Sequence, residues 1–247
     1  MTSIRIQINR KCYPAVGQAK PNLAIENLQL QVHAGEFVCL VGPSGCGKTT
    51  LLNIIADLDQ DFDGEISLNS GQHRRPKIGY VFQNPRLLPW CTVRENIELA
   101  LTEPQLNQQV DGLIAAMQLT AMQQVYPERL SLGMSRRVAI IRAFAINPEL
   151  LLMDEPFVSI DAPTARQVRN LLLQLWQQRP HSVLFVTHDL REAIALADRL
   201  VFLSASPMSV ITEIKVPISR QERDNDVAIE AFRQRVLHDY PEIRSLV

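Results

Sequence analysis

Gly42, Pro43, Ser44, Gly45, Cys46, Gly47, Lys48, Thr49 and Thr50 follow the order of a phosphate-binding loop, with spaced glycines ahead of a lysine and a hydroxyl residue. The glycines let successive backbone N–H groups turn inward around nucleotide β- and γ-phosphates. Lys48 adds a positive charge, and the Thr49 hydroxyl is placed to hold Mg²⁺. Phe37 to Val41 is a short apolar run that reads as a buried strand. Leu51, Leu52, Ile55 and Leu58 recur at helical spacing over 49–58. The loop therefore joins a strand to a helix, whose N-terminus favours anions.

Further along, Leu150 to Met153 reads as a buried strand that delivers Asp154 and Glu155 at its carboxyl end, where open α/β sheets bind ligands. Asp154 can hold the water shell of Mg²⁺, while Glu155 can orient or deprotonate a water for attack on a γ-phosphate. Gln83 ends another strand, 78–82, and could reach the metal or that water. His188 closes the strand 183–187 at the same edge, which favours a catalytic over a structural histidine. Ser131 with Gly133, ahead of an arginine-flanked helix, is either an N-cap or a second anion-binding helix start. Tyr13 is either a half-buried aromatic or a platform for an adenine ring. Cys46 is a small residue at a variable position, or a redox switch on nucleotide binding.

The elements that must position these groups fit in 247 residues, enough for one large α/β domain or a core with a small subdomain. A net charge of -1 gives no electrostatic footprint for nucleic acid or an anionic membrane surface. No apolar run approaches the ~18 to 20 residues of a transmembrane helix. The opening residues lack the pattern of a signal peptide, so a cytoplasmic protein is expected. The four cysteines, Cys12, Cys39, Cys46 and Cys91, suggest neither a zinc site nor a disulfide framework.

Ile4, Ile6 and Ile8, and again Leu28, Leu30 and Val32, alternate with polar residues, predicting an antiparallel edge sheet with a loop over 11–22. A strand is expected at 64–68, then a basic turn over 72–77 whose Arg74, Arg75 and Lys77 are either a contact for an anionic partner or, as short charge runs usually are, a solvated hairpin tip. Thr92 should cap a helix over 93–101, followed by another from about 105 to 117. Leu87-Leu88-Pro89-Trp90 is either core or an apolar contact for a partner. Helices over 162–177 and from Leu190, strands at 200–203 and 210–216, and a charged amphipathic helix over 222–237 complete the chain. One domain is expected, with an α/β core at 1–83 and 148–220, a helical subdomain at 84–147 and a C-terminal helix at 221–247.

The phosphate loop, Gln83, Leu130-Ser131-Leu132-Gly133, Asp154-Glu155, Asp161 and His188, in this order and spacing, resemble the ATP-binding subunits of ABC transporters over almost the whole chain. Phe82-Gln83, Leu87-Leu88-Pro89-Trp90 and Asp154-Glu155-Pro156-Phe157 are similar to the importer group for nitrate, sulfonate, taurine and related small anions. The resemblance implies a P-loop NTPase (ABC ATPase) α/β core with an antiparallel β edge subdomain and an inserted helical subdomain, hydrolysing ATP with Mg²⁺. Tyr13 would stack on adenine. Lys48 and Thr49 would hold phosphate and metal, with Asp154 and Gln83 also serving the metal. Gln83 would sense the γ-phosphate and link the core to the helical subdomain, while Glu155 would serve the attacking water and His188 the γ-phosphate. Ser131 and Gly133 would close over ATP held by a second copy of the chain, with Asp161 at that seam. Permease subunits would be separate chains docked near Trp90, a solute-binding protein an indirect partner, and nucleic acid no partner. The expected place is the cytoplasmic face of the cell membrane. Export, or a soluble ABC ATPase of an assembly machine, is the alternative. One departure stands out, since Leu132 occupies a position that is usually glycine in the family, and Met134 one that is usually glutamine.

Overall fold

The computed structural model describes residues 3–15, 17, 20–68, 76–101, 107–244 and 246. The expected contributions of Arg74 and Arg75 to a basic tip, and of Gln105 to a helix start, lie outside the described residues. Along the chain, β1 (Ile4–Tyr13) and β2 (Asn22–Val32) precede the buried β3 (Phe37–Val41), α1 (Lys48–Ile55) and β4 (Asp63–Leu68). Then come β5 (Ile78–Val81), α2 (Val93–Glu98), α3 (Asn107–Ala116), α4 (Leu132–Ala145) and β6 (Leu150–Asp154). The chain closes with α5 (Ala162–Gln178), β7 (Ser182–Thr187), α6 (Leu190–Leu196), β8 (Arg199–Leu203), β9 (Val210–Lys215) and α7 (Asp226–Asp239). It divides into two compact units, Met1–Arg75 with Ser182–Val247, and Pro76–His181.

In the first unit, β3 runs parallel between β7 and β8, and β9 adds an antiparallel edge on β8. All five residues of β3 and all six of β7 are buried, the pattern of strands covered on both faces. A separate three-stranded antiparallel sheet in the order β2-β1-β4 buries Ile4, Ile6 and Ile8 on one face. Its β1 extends to Tyr13, paired with Asn22, so the loop expected from Lys11 begins later. Lys11 is buried within the strand, and its ammonium donates to Asp59 Oδ1 at 2.8 Å and the Asp61 carbonyl at 2.6 Å. Those distant acceptors let a lysine occupy a buried strand position. Helix α1 is shorter than its apolar spacing suggests. Asp57 adopts φ 62, and Leu58 is turned out of the apolar face with 61% of its surface exposed. Asn225 caps α7 by accepting from the Val227 N–H at 2.9 Å, so that helix starts four residues later than expected, at Asp226.

In the second unit, β5 and β6 pair in parallel, with Val81 opposite Met153. Thr92 caps α2 as the sequence predicts, and Glu95 completes a reciprocal capping box with it. The fully buried Asn96 amide accepts from the Leu88 N–H at 2.7 Å and donates to the carbonyls of Leu88, Cys91 and Thr92. That pins the loop over 88–92, from which Trp90 projects with 71% of its surface exposed.

Candidate functional site

The phosphate loop leaves the carboxyl end of β3 at Gly42, where a Cβ would stand 3.1 Å from Leu203 Cβ and 3.2 Å from its carbonyl oxygen. Gly45 at φ +75 and Gly47 at φ +114 lie in left-handed backbone, which side chains other than glycine's disfavour. Gly47 is the N-cap of α1, and no side chain caps that helix. The amides of its first turn are the donors an anion uses at a helix start. Lys48 is buried, and its Nζ donates to the carbonyls of Gly42 and Pro43, both at 2.8 Å. Its charge is thereby centred on the loop. Ser44 and Thr49 are exposed, and Pro43 and Thr50 half-buried. Cys46 is buried, and burial pushes its thiol up against the opposing pull of Lys48. Of its two sequence readings, the small packed residue fits this burial and the reactive thiol does not.

Two further residues of the first unit join the loop. Thr187 pairs with Val41, so His188 and Gly42 leave the carboxyl ends of neighbouring parallel strands side by side. Asp189, next to His188, caps α6 by accepting from the N–H groups of Arg191 and Glu192. The Tyr13 hydroxyl lies 3.2 Å from Thr50 Oγ1 and donates to Asp59 Oδ2 at 3.3 Å. Its ring is partly exposed beside the start of α1, with Lys11 Nζ 4.6 Å from the centroid.

In the second unit, Asp154 ends β6 in a buried position, and Glu155 follows at φ 43. Gln83, exposed, lies two residues beyond Val81 on the neighbouring strand, so Gln83, Asp154 and Glu155 share one sheet edge. Burial, with the Asp154 charge added, pushes the Tyr80 phenol well up. Ser131 is the N-cap of α4, accepting from the Met134 N–H at 3.2 Å. Leu132 beside it is exposed. Asp161 is the N-cap of α5, and the Thr164 N–H at 3.0 Å holds its carboxyl below the usual range. Sequence reasoning missed Arg136, which it took as one of the arginines flanking this helix and which is instead buried. Among the described residues its partners are distant backbone carbonyls, which leave no acidic side chain in the sequence to signal it.

A glycine-built phosphate cradle between a buried parallel strand and a helix defines a nucleotide-binding α/β protein of the P-loop class. The chain belongs to the ABC transporter family, whose model matches residues 25–158. An aliphatic sulfonates import ATP-binding protein of Bacillus subtilis (strain 168) is 39% identical over 99% of this chain and 96% of its own length. A nitrate import ATP-binding protein of Synechococcus elongatus is 40% identical over 85% of this chain and 80% of its own. A bacterial ABC transporter cassette solved as a dimer superposes with a TM-score of 0.72 at 32% identity, covering 87% of this chain and 100% of that one. A dimeric post-hydrolysis state of an ATP-binding cassette bound to ADP and Pi matches at the same TM-score and 30% identity, again over 87% and 100%. The fold is that of an ABC ATPase cassette, as the motif order implied.

Proposed function

We propose that this chain is the ATP-hydrolysing motor subunit of a multi-subunit ABC importer for a small solute, an anion of the nitrate, sulfonate and taurine class. The observation that carries the ATPase reading is the cradle itself, with Gly45 and Gly47 in left-handed backbone, α1 free of a side-chain cap and the Lys48 ammonium centred on the loop. Nearly full-length likeness to import ATP-binding proteins for aliphatic sulfonates and nitrate supports the cargo class.

In this reading the loop amides and Lys48 bind the β- and γ-phosphates, and Tyr13 stacks on the adenine. Glu155 takes a proton from the attacking water, and His188 donates to the γ-phosphate. Thr49, Gln83 and Asp154 offer only oxygen donors, the hard ligands Mg²⁺ takes, and the metal would supply neutralisation of phosphate charge. Ser131 and Gly133 serve the ATP of a second copy, with Asp161 at the seam, an arrangement supported by the dimeric cassette relative.

Among the described residues no helix is long and apolar enough to cross a membrane. Transport then needs separate permease chains, which hold this subunit at the cytoplasmic face of the cell membrane and link it indirectly to a solute-binding protein. The helical subdomain at 84–147, with Trp90 standing out from its pinned loop, is the docking surface we assign to them.

The test is to tag the chain, solubilise its native membranes gently and identify what co-purifies with ATP hydrolysis. A multi-spanning permease recovered with a solute-binding protein is expected, and the latter's ligand can then be assayed directly. Soluble partners alone, under conditions that retain known membrane complexes, would overturn the transport reading.

A further inference from the structure

Arg136 sits on the second turn of α4 with only 3% of its surface exposed. Its acceptors are three backbone carbonyls. Nη1 donates to Gln83 and, at 3.3 Å, to Phe82, while Nη2 donates to Val158 at 3.4 Å. Nε is buried without an acceptor among the described residues. Two of the three bonds are long and one donor is unpaired, and burial draws the guanidinium below its ordinary pKa. A residue kept for packing alone would be apolar, since an imperfectly paired buried charge is a poor source of stability.

The carbonyls it chooses give it a different use. Gln83 is the exposed amide two residues beyond β5. Val158 belongs to the turn that begins at Glu155, whose carbonyl accepts from the Val158 N–H at 3.2 Å. The helix that carries Arg136 opens on Ser131 and Gly133. Arg142, farther along α4, holds the other end of the glutamine loop by donating to the carbonyls of Pro85 at 2.8 Å and Arg86 at 3.1 Å. The Arg86 guanidinium lies 3.9 Å over Phe82, which stacks on Tyr80. Residues 82–86 are thus held at both ends through their backbone carbonyls by Arg136 and Arg142, and the Gln83 side chain remains exposed.

We infer that Arg136 is a positioning residue for ATP hydrolysis, fixing Gln83 and the Glu155 turn to the helix that begins at Ser131. The inference rests on the ATPase reading above. It touches no reacting atom itself, and it acts through the backbone of residues that do. Its removal should therefore slow turnover while leaving the phosphate loop's affinity for ATP alone.

The experiment measures kcat, KM and thermal unfolding of the purified full chain for the wild type, K48M, Q83A, R136M, R136K and the Q83A/R136M pair. R136M is expected to unfold no earlier than the wild type, yet to lose about tenfold or more in kcat with KM within about twofold, the scale of lost charge-assisted hydrogen bonds. R136K, able to reach one carbonyl, should recover part of the loss. The pair should be no slower than its slower single variant, because both changes disable one unit. An unchanged kcat in R136M, a rise in KM equal to the loss in kcat/KM, or single losses that multiply in the pair would each overturn the inference. If R136M does not fold, R136K with Q83A supplies the same cycle. Hydrolysis insensitive to K48M would instead sink the ATPase reading, and the inference with it.

Discussion

A Cβ placed on Gly133 would stand 2.5 Å from Thr164 Cγ2, so the start of α4 lies directly against the start of α5. Thr164 is the residue whose N–H is capped by Asp161. Gly133→Ala should therefore destabilise the protein by about 1–3 kcal/mol, the usual cost of overpacking. Thr164→Ser, which deletes the offending methyl and keeps the cap, should restore most of that stability in the double variant. If Gly133 also serves a partner's nucleotide, the double variant will regain its unfolding midpoint without regaining ATP hydrolysis. Full recovery of hydrolysis would assign Gly133 to packing alone.

Glu155 is held at φ 43, a conformation that costs a non-glycine residue about 1–3 kcal/mol and that recurs at functional positions. Glu155→Gln keeps the shape and removes the base. Turnover should fall by ~10²-fold or more while ATP still binds, the scale of a lost general base. Single-turnover hydrolysis and equilibrium nucleotide binding measured together check this, and unchanged hydrolysis would remove Glu155 from the role.

The phosphate loop was legible because its motif is a backbone requirement written in glycine, and Gly45 and Gly47 do adopt left-handed φ. The edge sheet was legible for a similar reason, since Ile4, Ile6 and Ile8 must share one face of a strand. What the sequence hid were partnerships across long separations. Lys11 looks like a loop residue until Asp59 and Asp61 are brought to it. Arg136 looks like any of the arginines flanking its helix until the carbonyls of Gln83 and Val158 close around it. Leu58 erred the other way, fitting the helical period although the chain turns at Asp57 before reaching it.

The first unit also carries an acid-sensitive tie. Arg199 grips Glu36 through two bonds, Nε to Oε1 at 2.7 Å and Nη2 to Oε2 at 2.8 Å, and also donates to Glu213 and to the Gln31 carbonyl. Burial opposes the Glu36 carboxylate, but the Arg199 bonds and the His33 N–H outweigh it and hold its pKa below the ordinary value of 4.5. A folded-state pKa below the unfolded one means the unfolded chain binds more protons between the two. This contribution is complete above the ordinary carboxylate range and is lost as pH falls through the depressed folded value. Glu36→Gln should be less stable than the wild type at pH 7 and should lose less on acidification toward pH ~3. Urea midpoints at a series of pH values provide the comparison, and parallel pH profiles for the two proteins would exclude the pair as a source of acid sensitivity.

Tyr13 reaches Thr50 on the first turn of α1, whereas the Lys48 ammonium is bonded within the loop, which allows base and phosphate binding to be tested separately. The Tyr13 hydroxyl is engaged with Thr50 and Asp59, whereas part of its ring stays exposed. If that ring carries the adenine, Tyr13→Phe should bind ATP nearly as well as the wild type, because it loses only the hydroxyl. Tyr13→Ala should bind ATP about 5- to 150-fold more weakly, in line with the ~1–3 kcal/mol of stacking one base on an aromatic side chain. Inorganic tripolyphosphate has no base, so its affinity should be the same in Tyr13→Ala and the wild type. Lys48→Met should weaken ATP and tripolyphosphate alike, since its ammonium serves the loop and not the ring. Calorimetric titration of both ligands against the three variants reads all of these at once. A Tyr13→Ala variant that loses tripolyphosphate as strongly as ATP would make Tyr13 a support for α1 through Thr50, and not an adenine platform.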